Sequence, residues 1–473
     1  IVGASEGSGD FGGIVFRADS DLEQSGMFLN YVSHTDIRHG GGKVLIETGE
    51  ETFSPIQIDD ARPTIAFNTI SDSADAAVSA SPNSFAESLG RIGPDVVGNF
   101  LRNNSFNGLF ISIETDPSRP TTKLTVPGRF NDTDIPHILT ESLLIDGQPG
   151  GQLQDQFFNV LSARASGRLK IDPGIVLKLD GSRIEAELGG AALIAEGLDN
   201  SPIIFTSIQD DRYGGSGVFD TTGSVGSVGT PGDWGGLYFG QTSHGSIDNA
   251  IISFGGGDSA IEGGSANFNA VEIHQAEVRI TNTLLTENAG GAATGVRAGR
   301  GANDSSTIYV RGSQPILLDN SLVNNEGAGI SINANSLKFG SLIDSGRSTG
   351  LLDAYSQFDD NVGPLIRLNA FENNGINGML VRAEVLTTEG IWDDTDIVHV
   401  VDGEIVVDNQ HTNGGLTLKS SGSESLVVKF SNASAGLTAT GTPLDIIDRI
   451  GGTVTVLGAP GFPVVLTSLV DDT

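Results

Sequence analysis

Apolar residues along this chain gather in short β-branched bursts cut off by Gly, Asn and Asp. KVLIE at 43–47, PIIFTS at 202–207, AIISF at 250–254, VRIT at 278–281, STIYV at 306–310, GISI at 329–332, EIVV at 404–407 and TVTVL at 453–457 are the clearest. Ala, Leu, Glu and Lys rarely recur at helical spacing, so the pattern predicts an all-β chain of short strands. The turns between them are often a single Gly or an Asn pair, residues that accept positive φ.

A longer pattern overlies the bursts. GDFGGIVF at 9–16 matches GDWGGLYF at 232–239, and IRHGGG at 37–42 matches ISFGGG at 252–257. NNSFNGLFI at 103–111 matches NNGINGMLV at 373–381, and FNDTDIPHIL at 130–139 matches WDDTDIVHVV at 392–401. LGGAALIAEGLDNSPIIFTSIQDD at 188–211 matches IGGTVTVLGAPGFPVVLTSLVDD at 450–472. Five motifs in one order mean a duplication, with repeat units 1–211 and 212–473. Within each unit, Asn-bearing turns such as SLVNNEGAGI at 321–330 and AFENNGINGM at 370–379 read as corners of stacked coils. Stacked coils make a solenoid, in which a continuous core forms only between neighbours.

The run WDDTDIVHVVDGEIVV, then LTLK and LVVKF, then GGTVTVLGAPGFPVVLTSLVDD, resembles the opening coils of bacterial secreted and surface right-handed parallel β-helix proteins. FNDTDIPHILTESLLI, LKIDPGIVLKL at 169–179 and GGAALIAEGLDNSPIIFTS supply the same order in the first unit. GDWGGLYF followed by AIISFGGG resembles the coil that comes next. The likeness covers most of the chain and departs at 74–98 and 340–360. It implies a right-handed parallel β-helix in two tandem copies, and an extracellular or cell-surface location. It implies no activity, because that family is functionally mixed.

Composition narrows the partners. The 473 residues carry 59 Asp and Glu against 26 Lys and Arg, a net charge of -33, with 65 Gly and no Cys. A surface this acidic repels nucleic acid and anionic lipid. No apolar run approaches the roughly 18–20 residues of a membrane helix. Without cysteine there is no disulfide framework and no thiolate metal site. Hydrophobic residues at 38% suffice for a packed core.

Several clusters carry candidate chemistry. Asp210 and Asp211 precede a long Gly- and Ser-rich loop bearing Asp220 and Asp233, and Asp471 and Asp472 are their counterparts in the second unit. Oxygen ligands on such a loop suit Ca²⁺, while turn hydrogen bonds are the plainer use of the same side chains. Asp393, Asp394 and Asp396 with His399 match Asp132 and Asp134 with His137. A group present twice reads as architecture: carboxylates capping backbone N–H groups while Trp392 or Phe130 covers the core. Trp234 and Phe11 read as core side chains. Asn103, Asn131, Asn303 and Asn432 sit in glycosylation sequons. The insert at 340–364, with Arg347, Tyr355 and Phe358, is the one stretch without a counterpart that could line a sugar groove.

Two functions compete on this reading. One is an extracellular structural or adhesive protein, part of a fibre, matrix or surface layer. The other is a carbohydrate-active β-helix enzyme or a sugar-binding module, which should show a polar groove in one copy only. The duplication favours the first. The stop at TSLVDDT leads naturally into IVGASEGSGDFGG, as residues 211 onward lead into GDWGG. The sequence therefore predicts modules at 1–125, 126–388 and 389–473, the first and last being complementary parts of a β-helix that associate head to tail. Val464 and Leu466 are placed inward on the last coil.

Overall fold

The computed structural model describes residues 6–472 apart from 22–24, 47–48, 89, 116–119, 165, 216, 262–263, 292–296, 341, 351–361, 409–413 and 442–450. Tyr355 and Phe358 lie outside the described residues. Among the described residues the regular structure is β-strand with a few single-turn 3-10 segments. All eight apolar bursts fall on strands. Seven of them pair in parallel, and Lys43–Ile46 instead forms an antiparallel hairpin with Gly49–Thr52. An equivalent hairpin, Asp258–Ile261 with Gly264–Asn267, follows the second GGG.

Long parallel sheets of eleven, ten and seven strands dominate the chain. From Pro127 to Arg382 successive strands enter the seven-, eleven- and ten-stranded sheets in turn. Pro127–Phe130, His137–Leu139 and Leu143–Ile145 make the first round. Arg168–Ile171, Val176–Leu179 and Arg183–Ala186 make the second, each in parallel register with its counterpart before it. The seventh round is Leu365–Arg367, Ala370–Glu372 and Ile376–Arg382. Among the described residues of this span, the strands outside the order form two short hairpins, Leu153–Gln154 with Val160–Ser162 and Asp258–Ile261 with Gly264–Asn267. Such strands are covered on both faces or nearly so, which is why they read as continuous apolar bursts.

The order shifts at two places. Leu109–Ile111, at the position of the third strand in a round, pairs with the second strand of the next series, Leu109 opposite His137. Ile376–Arg382 does the same with His399–Val401, Met379 opposite His399. Two flanking bridges recur as well: Ala86 with Gly128 and Leu124 with Ile145, then Lys338 with Gly390 and Val385 with Val406. The sequence duplication is thus a duplication in space, junctions included.

One apolar cluster runs from Phe16 to Val428. Its side chains stack in register from strand to strand. One such row is Leu109, His137, Leu177, Phe205, Ile252, Leu285, Leu322 and Phe371. The Asn corners stack too. Asn288 Nδ2 donates to Asn325 Oδ1 at 2.9 Å, Asn325 to Asn374 at 2.8 Å, and Asn374 to Asn377 at 3.0 Å. The residues just before the first three, Glu287, Asn324 and Asn373, hold φ of 56°, 59° and 53°. That left-handed step turns the chain, and the amide that follows satisfies the backbone groups the turn leaves unpaired.

Candidate functional site

Three of the carboxylates read as calcium ligands, Asp210, Asp211 and Asp220, lie near enough to Lys178 to act on its charge. Lys178 lies on Val176–Leu179 between two inward leucines, so its side chain leaves the core and is buried beneath the loop that follows Asp210. Its Nζ donates to the Phe219 carbonyl at 2.5 Å. Burial lowers its pKa to about 8, against the upward pull of Asp211, Asp210 and Asp220. The second unit repeats the arrangement. Lys429 Nζ donates to the Asp471 carbonyl at 2.5 Å and lies 3.5 Å from Asp472.

The loop's own donors occupy these carboxylates. Asp210 accepts from Thr206 Oγ1 at 2.5 Å and from Arg212 Nε at 2.8 Å. Burial works to raise its pKa, but the hydrogen bonds from Arg212 and Thr206 outweigh it and hold the carboxyl below its ordinary value. Asp211 accepts from the Gly226 and Ser227 N–H groups at 2.6 and 3.0 Å. Asp220 accepts from the N–H groups of Thr222, Gly223 and Ser224. Asp233 turns to Ser207 Oγ at 2.5 Å and the Thr230 N–H at 2.9 Å. Among the described residues no three His, Asp or Glu side chains come together as a metal-ligand set. The signal for the lysine was present in the sequence: a charge in the middle of VLKL, repeated in VVKF.

The aspartates at the two junctions cap backbone, as the repeat suggested. Asp134 Oδ2 accepts from the Gly98 N–H at 2.6 Å, and its counterpart Asp396 from the Leu368 N–H at 2.7 Å. Asp132 accepts from Val96 N–H at 3.2 Å, and Asp393 from Val362 N–H at 2.8 Å. Behind them His137 stacks on Phe130 with ring centroids 4.7 Å apart, and His399 on Trp392 at 5.4 Å. Both histidines stand in apolar rows. Burial outweighs backbone contacts with Ile135 and Ile397 and lowers their pKa to about 3 and about 4. Burial pushes Asp132 the other way, up to about 7. These groups seal junctions.

The described part of the insert docks on the outer surface of the seven-stranded sheet. Arg279 Nε lies 3.0 Å from Asp344, and Arg347 Nε lies 2.9 Å from Asp248, all four side chains being buried. Glu196 accepts from Ser246 Oγ at 2.5 Å and from the Ser348 N–H and hydroxyl at 2.6 and 2.9 Å. Burial works to raise the Glu196 pKa, and these hydrogen bonds outweigh it. A cavity of about 740 Å³ opens beside this contact, lined in part by His244, Glu277, Lys338 and Arg347.

One expectation fails. Trp234 is fully buried, whereas its counterpart Phe11 is 46% exposed. Trp234 has rounds stacked on both sides; Phe11 adjoins Ile14–Arg17, the terminal strand of its sheet. Position in the stack decides the difference.

Compared with known proteins, the chain matches no family model, no curated protein and no solved structure. Fold and site together define a nearly all-β repeat protein with long parallel sheets.

Proposed function

We propose that the chain is a right-handed parallel β-helix of two tandem repeats, and that it serves as an extracellular structural protein in a fibre, matrix or surface layer. The observation that carries this reading is the pair of equivalent junctions, Leu109 on His137 and Met379 on His399, each sealed by the same aromatic, histidine and aspartate set. A fold that stacks one series of coils on the next, twice in the same way, is a device for building length. The polar clusters work as structure: Lys178 and Lys429 lock loops, and the junction aspartates cap N–H groups. The modules fall at 1–125, 126–388 and 389–473. A net charge of -33 keeps such a material soluble and sets a repulsion that salt screens.

Sedimentation velocity across a concentration series at high ionic strength tests the reading. Elongated, concentration-dependent multimers are the expected outcome, with no cleavage of acidic or neutral polysaccharides. Catalytic turnover of a polysaccharide by a chain that stays monomeric would replace it with the carbohydrate-active alternative.

A further inference from the structure

A cavity of about 740 Å³ lies between the 342–348 segment and the outer surface of the seven-stranded sheet. Its floor is two rows of outward side chains in register. Ala192, His244 and Glu277 make one row, and Ile194, Ser246, Arg279 and Ile316 the other. Four rounds spaced about 4.8 Å apart give a floor about 14 Å long. Where this floor has Ser246, Arg279 and Ile316, the first repeat has Tyr31, Thr64 and Asp95 in register. It also has no stretch matching the 342–350 segment. The set of residues that makes this cavity therefore occurs in one repeat.

Paired charges hold the wall in place. Asp344 accepts from Arg279 Nε and from the Gly346 N–H, both at 3.0 Å. Arg347 Nε lies 2.9 Å from Asp248, and the same guanidinium donates to the Gly197 carbonyl. Glu196 accepts from the N–H groups of Ser348 and Thr349 at 2.6 and 3.1 Å. Buried pairs of this kind add little net stability over apolar packing of the same volume. What they fix is geometry, and here they hold the segment against the sheet with the space beside it open. Gln275, Lys338 and Ser345 line that space, and their side chains have no partner among the described residues. His244 and Glu277, also in the lining, lie 3.3 Å apart. With Arg279 and Arg347 paired, Lys338 and Glu277 leave one charge of each sign, so the lining is near neutral in a chain of net charge -33.

We propose that this cavity binds a short run of a neutral polysaccharide, roughly three or four pyranose units, and does not cleave it. The volume falls within the range of small-molecule sites, about 300–1,000 Å³. A pyranose unit is about as long as one level of the sheet, so successive rings match successive rounds of the floor. The amide of Gln275, the ammonium of Lys338 and the hydroxyl of Ser345 suit sugar hydroxyls, while Ala192, Ile194 and Ile316 offer an apolar surface to the C–H faces of the rings. An anionic chain would meet the repulsive field of the whole protein. Glycoside hydrolysis uses two carboxylates flanking the bond. Of the two in this lining, Asp344 is held by Arg279, which leaves Glu277 without a second member. The proposal goes beyond the structural role above and does not depend on it.

Titration calorimetry of the full chain with cellotetraose, maltotetraose, xylotetraose and tetra-N-acetylchitotetraose tests the proposal, with tetragalacturonate as the anionic comparison. At least one neutral probe should bind one site per chain, and tetragalacturonate should bind about tenfold more weakly. Ala192→Trp fills the floor from the sheet side and should abolish binding. Gln275→Ala and Lys338→Ala change exposed side chains and should each weaken it about fivefold, the loss of one hydrogen bond, with circular dichroism and melting temperature unchanged. No neutral probe binding with a Kd below about 1 mM would overturn the proposal. Binding that is unchanged in all three variants would overturn the assignment to this cavity. Preference for tetragalacturonate, or release of reducing ends from a bound probe, would overturn the neutral, uncleaved ligand. None of these results decides the structural role, which the sedimentation series tests by itself.

Discussion

Trp392→Ala should melt the C-terminal rounds while the rest of the stack stays folded. Trp392 is fully buried, stacked on His399 and in register with Leu418. Removing a large buried aromatic costs about 3–5 kcal/mol, because the cavity collapses only in part. In a stack where each round touches only its neighbours, that loss stays near its source. Amide exchange in 390–472 should therefore accelerate by about two to three orders of magnitude. Exchange at Ala192–Glu196 and Ile203–Ser207 should be unchanged. Phe130→Ala removes the equivalent ring, with rounds on both sides, and should loosen the first junction instead. Uniform acceleration along the whole chain in Trp392→Ala would mean that the stack unfolds as one unit.

Acid should act on the first junction through two groups of opposite sign. Burial holds the His137 pKa at about 3, against an ordinary 6.5. The unfolded chain then takes up a proton that the folded chain refuses, so this group's contribution to stability falls as pH drops through that window. Burial raises Asp132 to about 7 from an ordinary 3.8. Here the folded chain takes up the proton first, and stability rises as pH drops from about 7 towards 3.8. The two offset each other between about pH 6.5 and 4, each with a slope of up to about 1.4 kcal/mol per pH unit. Asp132→Asn should therefore steepen the fall of melting temperature between pH 7 and 4, and His137→Leu should flatten or reverse it. Melts of the two variants with parallel pH profiles would rule out the opposed pair.

Much of this architecture was legible in the sequence because strands that enter parallel sheets in turn write their period into the chain. The apolar bursts mark strands, Asn-bearing turns mark corners, and five repeated motifs mark equivalent places in space. The residues at 132–137 and 394–399 were legible as architecture for the same reason. The shift of sheet position at each junction was not, since no local residue pattern says which strand of a round the next series will stack upon. Lys178 was visible as a charge in the middle of VLKL, but nothing in that strand says that the loop after Asp210 folds over it and offers it the Phe219 carbonyl. Phe11 misled because a matched position is not a matched environment: it lies beside the terminal strand of its sheet, and Trp234 between two rounds. The pairs Arg279 with Asp344 and Arg347 with Asp248 join the 342–350 segment to residues far from it in sequence, and no spacing rule reports such contacts.

Electron cryomicroscopy of the concentrated chain at high ionic strength tests the central claim most directly. The eleven-stranded sheet followed by three further strands of the ten-stranded sheet makes a stack of fourteen levels per chain. At about 4.8 Å per level, the stack runs about 67 Å along its axis, with the two copies of the repeat offset by about 34 Å. The account predicts an elongated particle of about that length, in which the strand density of Leu109–Ile111 runs into that of His137–Leu139 and the density of Ile376–Arg382 into that of His399–Val401. Separate compact halves, or a break in the stack at either junction, would contradict it.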